Sequence, residues 1–265
     1  MIFRDQLQRE IPLNKTPRRI ISLVPSQTEL LCDLGLQNSL VGVTKFCVHP
    51  QNIRKSKTVV GGTKNVHLEK IAALNPDIIL CNKEENTQEM VEELTKIAPV
   101  HLSNVITFED SLDLIFQYGE IFEIQETTAA LVKNIIDAKN RFEEEGIRTR
   151  LKVVYLIWKK PWMAVGGETF INSLIEINGW ENLFKNNKDR YPEITLNDLE
   201  MLKPDLVLLS SEPFPFKEKH VIELGEQIKA NIQLVDGEYF SWYGSRLLPA
   251  FNYFKEYQIK LSNFL

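Results

Sequence analysis

The side chains of this chain with the most capacity for chemistry are aromatic and cationic residues that recur just after short β-branched runs. Pro25-Ser26 follows Ile20–Val24, and Thr44-Lys45-Phe46 follows Leu40–Val43. Gly61-Gly62-Thr63-Lys64 follows Thr58–Val60, and Asn82-Lys83 follows Ile78–Cys81. Later, Trp158-Lys159-Lys160-Pro161-Trp162 follows Lys152–Ile157. Ser210-Ser211-Glu212-Pro213-Phe214 follows Leu206–Leu209, and Ser241-Trp242-Tyr243-Gly244-Ser245-Arg246 comes after Ile232–Val235. Trp158, Trp162 and Trp242 are three of the four tryptophans, so the large rings gather in these loops. A ring in a loop carries apolar area that otherwise faces water. Gathered rings therefore suit a large, flat, partly apolar ligand, with Lys83 and Arg246 meeting its anionic groups. The expected lining is Pro25, Ser26, Lys45, Phe46, Gly62, Thr63, Asn82 and Lys83 from the first half. From the second it is Trp158, Trp162, Ser211, Phe214, Trp242, Tyr243 and Arg246.

Covalent chemistry finds little support. There is no GxSxG elbow, and Gly61-Gly62 and Gly166-Gly167 lack the spacing of a dinucleotide-binding turn. Glu168 and Asp205 are isolated carboxylates that read as a cap and a turn. Cys32, Cys47 and Cys81 form an odd set without CxxC spacing, and read as small buried side chains. His49, His67, His101 and His220 are scattered, so no metal ligands, catalytic residues or cofactor are expected. The net charge of −5, with no basic stripe, argues against nucleic acid. No apolar run approaches the roughly 20 residues that span a bilayer. The first residues, Met1-Ile2-Phe3-Arg4-Asp5, lack the apolar stretch of a signal peptide. On that ground the chain is expected either to stay in the cytoplasm or to lack a signal that its gene carries.

Strand patterns alternate with helical ones, so βα units and a mostly parallel sheet are expected. Ser26 and Glu29 read as a capping box opening a helix Thr28–Leu34, stopped at Gly35. Leu68–Leu74 and Gln88–Ile97 read as helices, and Phe108–Phe122 as another. The stretch from Gln125 to Glu145, with Leu131, Ile135, Ala138 and Phe142 on one stripe, predicts a helix of roughly 30 Å. After it the βα alternation resumes, with helices at Thr169–Ile177, Leu196–Leu202 and from Leu247 on.

A repeat organises the whole. Leu68–Leu80 and Leu196–Leu208 share a helix, a Pro-Asp turn (Pro76-Asp77, Pro204-Asp205) and a buried strand, at a constant offset of 128 residues. The strands Arg19–Val24 and Lys152–Ile157 also correspond. A period this long does not suit a solenoid. It predicts an α/β protein of two similar three-layer lobes: residues 1–124, a connecting backbone helix 125–146, and residues 147–265. Ligands of open parallel sheets bind beyond the carboxyl ends of the strands, which places the aromatic loops around a cleft between the lobes.

The order of motifs, from Ser-Leu-Val-Pro-Ser-Gln-Thr-Glu through Gly-Gly-Thr to two Leu-x-Pro-Asp strands around a long helix, resembles the periplasmic cobalamin- and ferric-siderophore-binding proteins of ABC importers. The tail Trp242-Tyr243-Gly244-Ser245-Arg246 resembles their vitamin B12-binding subgroup most closely. The resemblance implies a monomer that captures a corrinoid, haem or iron chelate without catalysis, in the periplasm, and delivers it to a membrane permease. It also implies an acidic docking residue on each lobe. Glu84, Glu85 and Glu89 are the candidates in the first lobe and Glu212 and Glu218 in the second, with Glu89 and Glu218 favoured because they open helices. Asn82 stands where the B12-binding proteins carry a tryptophan, which bears on B12 itself rather than on chelates as a class. A cytoplasmic chelate carrier or sensor on the same fold is the alternative reading, and an enzyme using the cleft is a further one.

Overall fold

The computed structural model describes residues 1–145 and 150–262. The chain forms two compact units. The first comprises Met1–Val105, Glu109–Ile136 and Trp242–Leu247; the second comprises Ile106–Phe108, Asp137–Ser241 and Leu248–Leu265.

The first unit opens with a hairpin, β1 (Ile2–Arg4) and β2 (Glu10–Pro12). Its main sheet contains β3 (Ile20–Ser22), β4 (Leu40–Val43), β5 (Thr58–Val59), β6 (Ile78–Asn82) and β7 (Val100–Ser103). They lie in the order β5-β4-β3-β6-β7, all parallel. Its helices are α1 (Pro25–Asp33), α2 (Ile53–Ser56), α3 (Leu68–Ala73) and α4 (Gln88–Thr95), with most of α5 (Phe108–Phe122). Every residue of β6 is buried, as a strand covered on both faces requires. Ile21, Ile79 and Val100 pack with Met90, Val91 and Leu94 of α4 in one core.

α1 corrects the sequence reading at its start. The helix begins at Pro25, its first-turn proline, with Val24 as the N-cap and no side-chain cap bond. Proline fits there because its missing N–H is one the first turn leaves unpaired anyway. Ser26 is buried inside the first turn rather than capping it, and Glu29 engages Arg246 instead of closing a capping box. The helix does stop at Gly35, whose φ of +80° suits glycine. There the N–H of Leu36 reaches the Leu31 carbonyl at 2.8 Å, and that of Gly35 the Cys32 carbonyl at 3.0 Å.

α6 (Gln125–Glu145) is one unbroken helix, as its pattern predicts, but the two units divide it between Ile136 and Asp137. In the second unit its Phe142 packs on Phe251 and Phe254, with ring centres 5.9 and 6.1 Å apart. The expected boundary at residues 146 and 147 lies outside the described residues. The second unit's sheet holds β8 (Lys152–Trp158), β9 (Trp162–Ala164), β10 (Glu181–Asn182), β11 (Glu193–Ile194), β12 (Leu206–Ser210) and β13 (Asn231–Val235). Its spine β8-β12-β13 is parallel, while β9 runs antiparallel to β8 and to β11. Around it lie α7 (Phe170–Ile177), α8 (Leu196–Leu202), α9 (Glu218–Gly225), α10 (Gly237–Ser241) and α11 (Leu247–Leu261).

The repeat has a physical basis. Asp77 Oδ2 accepts the N–H groups of Arg18 and Arg19 at 2.8 and 2.9 Å, and its own N–H returns to the Arg19 carbonyl at 2.8 Å. Asp205 Oδ2 accepts the N–H of Lys152 at 2.7 Å, and its N–H returns to the Lys152 carbonyl at 2.9 Å. Each Pro-Asp turn thus ties the entry of β6 or β12 to the entry of the neighbouring strand. Partial burial opposes ionisation of Asp77, but the two N–H groups and the Lys15 ammonium outweigh it and hold its carboxyl below the usual range. Asp77→Asn is expected to cost about 1–3 kcal/mol through the lost charge-assisted bonds. A carboxyl held low contributes stability above its unfolded pKa near 4 and loses it as pH falls through the folded value. Urea midpoints should therefore separate the two proteins at neutral pH and converge in acid; a gap that persists unchanged into acid would refute the assignment.

Candidate functional site

In the first unit the loops after β4, β5 and β6 are locked to one another. Lys45 N–H donates to the Gly61 carbonyl at 2.8 Å, and Gly62 N–H to the Asn65 carbonyl at 2.7 Å. The side chain of Asn86 donates to the Thr63 carbonyl at 2.7 Å. Gly61 has a φ of +134°, and a Cβ there would stand 2.5 Å from the Asn65 carbonyl oxygen, so only glycine allows this turn. The buried Gly62 lets the Phe46 ring and the Lys45 stem lie on the backbone. Phe46 is 50% exposed, with the Lys45 ammonium 5.0 Å from its ring centre. Thr63 is half-buried, and Lys45 and Lys83 are exposed.

Asn82 is a scaffold rather than a surface. It is buried; its Oδ1 accepts the N–H groups of Glu84 and Glu85 at 2.8 and 3.2 Å, and its Nδ2 donates to Ser103 Oγ at 3.0 Å. Pro25 is half-buried at the head of α1 and Ser26 is buried.

The segment Trp242–Leu247, assigned from sequence to the second lobe, belongs to the first unit. Hydrogen bonds explain the change. Gln27 Nε2 donates to Tyr243 Oη at 3.0 Å and to Ser103 Oγ at 2.6 Å, while Tyr118 Oη donates to Gln27 Oε1 at 2.8 Å. Gly244 N–H donates to Ser111 Oγ at 3.1 Å. Arg246 meets Glu29 through two bonds of 2.8 and 2.5 Å and lies 5.0 Å from the Trp242 ring centre. Trp242 and Tyr243 are both 7% exposed, and burial pushes the Tyr243 hydroxyl up to about 12. Arg246 is thus charge-matched by Glu29 while its guanidinium lies against the Trp242 ring.

In the second unit the rings after β8 and β12 pack together. Trp158 is 39% exposed and meets Phe214 edge-on, with centres 5.6 Å apart. Trp162 stacks on Phe216 at 6.0 Å, beneath the Lys159 ammonium, which pairs with Glu223 at 2.5 Å. His220 packs against Phe214 and Phe216, each at 5.5 Å, and its Nδ1 accepts the Lys217 N–H at 2.9 Å. The exposed Ser211 accepts the Gly237 N–H on its Oγ at 2.9 Å. Two shallow grooves, of about 610 and 430 Å³, lie elsewhere, against Lys203-Pro204 with Gly225–Ala230 and against Arg9–Pro12 with Thr95–Val100. Neither contains a sequence-predicted site residue.

Glu89 and Glu218 are exposed in the first turns of α4 and α9, as expected. Glu84, Glu85 and Glu212 are half-buried, and Glu212 accepts a bond from Ser241 Oγ at 2.5 Å. Sequence reasoning passed over Gln27 and Glu223, and read Glu29 only as a cap and His220 only as a scattered histidine. Gln27, Glu29 and Glu223 act on partners distant in sequence, with Arg246 lying 217 residues from Glu29, whereas His220 meets Phe214, Phe216 and Lys217 within six residues. Among the described residues no cluster of His, Cys, Asp and Glu could hold a metal ion, and no helix is long and apolar enough to cross a membrane.

The model of the periplasmic binding protein family matches residues 20–235. A vitamin B12-binding protein of Vibrio campbellii is 26% identical over 202 residues, covering 74% of this chain and 72% of that protein. In fold, the chain is similar to a possible iron-binding periplasmic protein of Staphylococcus epidermidis, with a TM-score of 0.78 and 21% identity over 91% of this chain and 98% of that one. It is likewise similar to a periplasmic haem-binding protein of Vibrio cholerae, with a TM-score of 0.75 and 21% identity over 92% and 98%. The match spans both main sheets from β3 to β13, and the chain belongs to the periplasmic binding protein family.

Proposed function

We propose that this protein is the substrate-binding component of an ABC importer, that it captures a metal chelate, and that it performs no catalysis. One observation carries the reading: each unit offers an exposed aromatic ring at or just beyond the carboxyl end of a parallel strand, Phe46 after β4 and Trp158 as the last residue of β8. A ring exposed at a strand end offers a flat ligand apolar area to bury. Both are braced from the side, Phe46 by Lys45 and Trp158 by Phe214. Strand-end loops are where open parallel sheets bind ligands. The names of the relatives, vitamin B12-, iron- and haem-binding, support a chelate. The reading includes delivery to a membrane permease, with the exposed Glu89 and Glu218 as the docking carboxylates.

Titration with cyanocobalamin, haemin and a ferric siderophore, read by tryptophan fluorescence and calorimetry, tests this. At least one should bind with a free energy of roughly −8 kcal/mol or better, a Kd near 1 μM. Binding weaker than about 100 μM for all three would overturn the reading. A Glu89→Lys, Glu218→Lys double variant should keep its chelate affinity in the same titration while losing co-sedimentation with permease-containing membranes.

A further inference from the structure

We infer that the first unit selects chelates carrying several anionic oxygens, and that Lys45, Lys64 and Lys83 make that selection; the inference rests on the function proposed above. The chain as a whole is acidic, with 36 Asp and Glu against 31 Lys and Arg. The loops after β4, β5 and β6 run against that balance. Each carries one exposed lysine: Lys45, Lys64 and Lys83 respectively. Arg54 adds a fourth cation, donating to the Lys45 carbonyl at 2.9 Å. Against these four cations the same loops set the half-buried Glu84 and Glu85, so the surface is positive on balance.

What matters is which charges are already matched. Elsewhere among the candidate site residues the long cations have partners: Arg246 has Glu29 and Lys159 has Glu223. Among the described residues Lys45, Lys64 and Lys83 form no ion pair. Their loops are held in place by the Lys45–Gly61, Gly62–Asn65 and Asn86–Thr63 bonds, and Lys83 N–H donates to the Ser103 carbonyl at 2.9 Å. Hydrogen-bonded loops that carry three exposed lysines and the exposed Phe46 ring present one apolar contact and several point charges. That matches a ligand with an aromatic or otherwise flat face and anionic oxygens at its edge. A cyanocobalamin, with no net charge and a periphery of amides, leaves the three ammonium groups unmatched. A tris-catecholate ferric complex, with three negative charges, or haemin, with two propionates, matches them. The shared chemistry is the anionic oxygen, and the two probes distinguish its sources.

The test titrates the wild-type chain with a ferric tris-catecholate, haemin, cyanocobalamin and ferrioxamine B, the last a hydroxamate complex with one positive charge. At least one of the two anionic complexes should bind at least about 10-fold more tightly than both of the others, an advantage that salt erodes, since exposed ammonium groups act through screened charge. A triple variant with glutamine at positions 45, 64 and 83 should lose that advantage, and the triple arginine variant should keep it. All three side chains are exposed, so unchanged thermal unfolding of both variants is expected and separates lost binding from lost fold. Cyanocobalamin or ferrioxamine B binding as tightly as the anionic complexes, or a glutamine variant with unchanged affinities, would overturn the charge assignment and leave the proposed function standing. Failure of every complex to bind would overturn both.

Discussion

Gln27→Leu is expected to destabilise the protein by about 2–4 kcal/mol, because it strands buried hydroxyls rather than removing a single contact. The Gln27 amide is fully buried and meets three partners, Ser103, Tyr243 and Tyr118. Leucine fills a similar volume, so the cost is polar and not a cavity. The hydroxyl of Tyr118, with 0% exposure, would lose its acceptor, and Ser103 and Tyr243 a donor. Each stranded buried group costs about 1–3 kcal/mol, and local relaxation recovers part of it. Tyr243→Phe, which removes one arm and leaves Gln27 bonded to Ser103 and Tyr118, should cost nearer 1 kcal/mol. Urea denaturation of both variants would settle the matter: a Gln27→Leu protein within about 0.5 kcal/mol of wild type would show that this network holds nothing together.

The same network explains why part of the fold was legible in the sequence and part was not. Elements defined by their own periodicity could be read directly. Helices Phe108–Phe122, Gln125–Glu145 and Leu196–Leu202 have the ends their apolar spacing predicts, and the twin Pro-Asp turns stand at the entries of β6 and β12. Strands of two or three residues, such as β9, β10 and β11, are too short to show a period. Ser26 and Glu29 obey the local rule for a capping box, but burial takes the serine and Arg246 takes the glutamate. Tertiary partners override local propensity in such cases, and nothing near Arg246 in the chain announces Glu29. The loops bearing the candidate site were legible, because strand ends follow from strands. Which of their side chains face solvent was not: Phe46 and Trp158 do, whereas Asn82, Trp242 and Tyr243 are buried.

That division makes Trp158 the most informative single position for binding. Trp158→Ala is expected to lower chelate affinity by about 2 kcal/mol, roughly 30-fold, the usual cost of truncating an aromatic anchor. Its effect on stability should be small. The ring is 39% exposed and its one described ring partner is Phe214, met edge-on. Trp162 offers the internal comparison, since its ring stacks on Phe216 beneath Lys159 and is less exposed. Trp162→Ala should therefore disturb stability more and affinity less, reversing the order of effects. Trp158→Phe, which keeps a flat ring of smaller area, should fall between wild type and alanine in affinity. The measurement is calorimetric titration of the three variants with whichever complex the wild-type chain binds, alongside thermal unfolding of each. If Trp158→Ala binds as the wild type does, the ring is surface packing. If both tryptophan variants lose affinity only in proportion to lost stability, no anchor lies on the loop after β8, and the weight of recognition passes to Phe46 and the lysines around it.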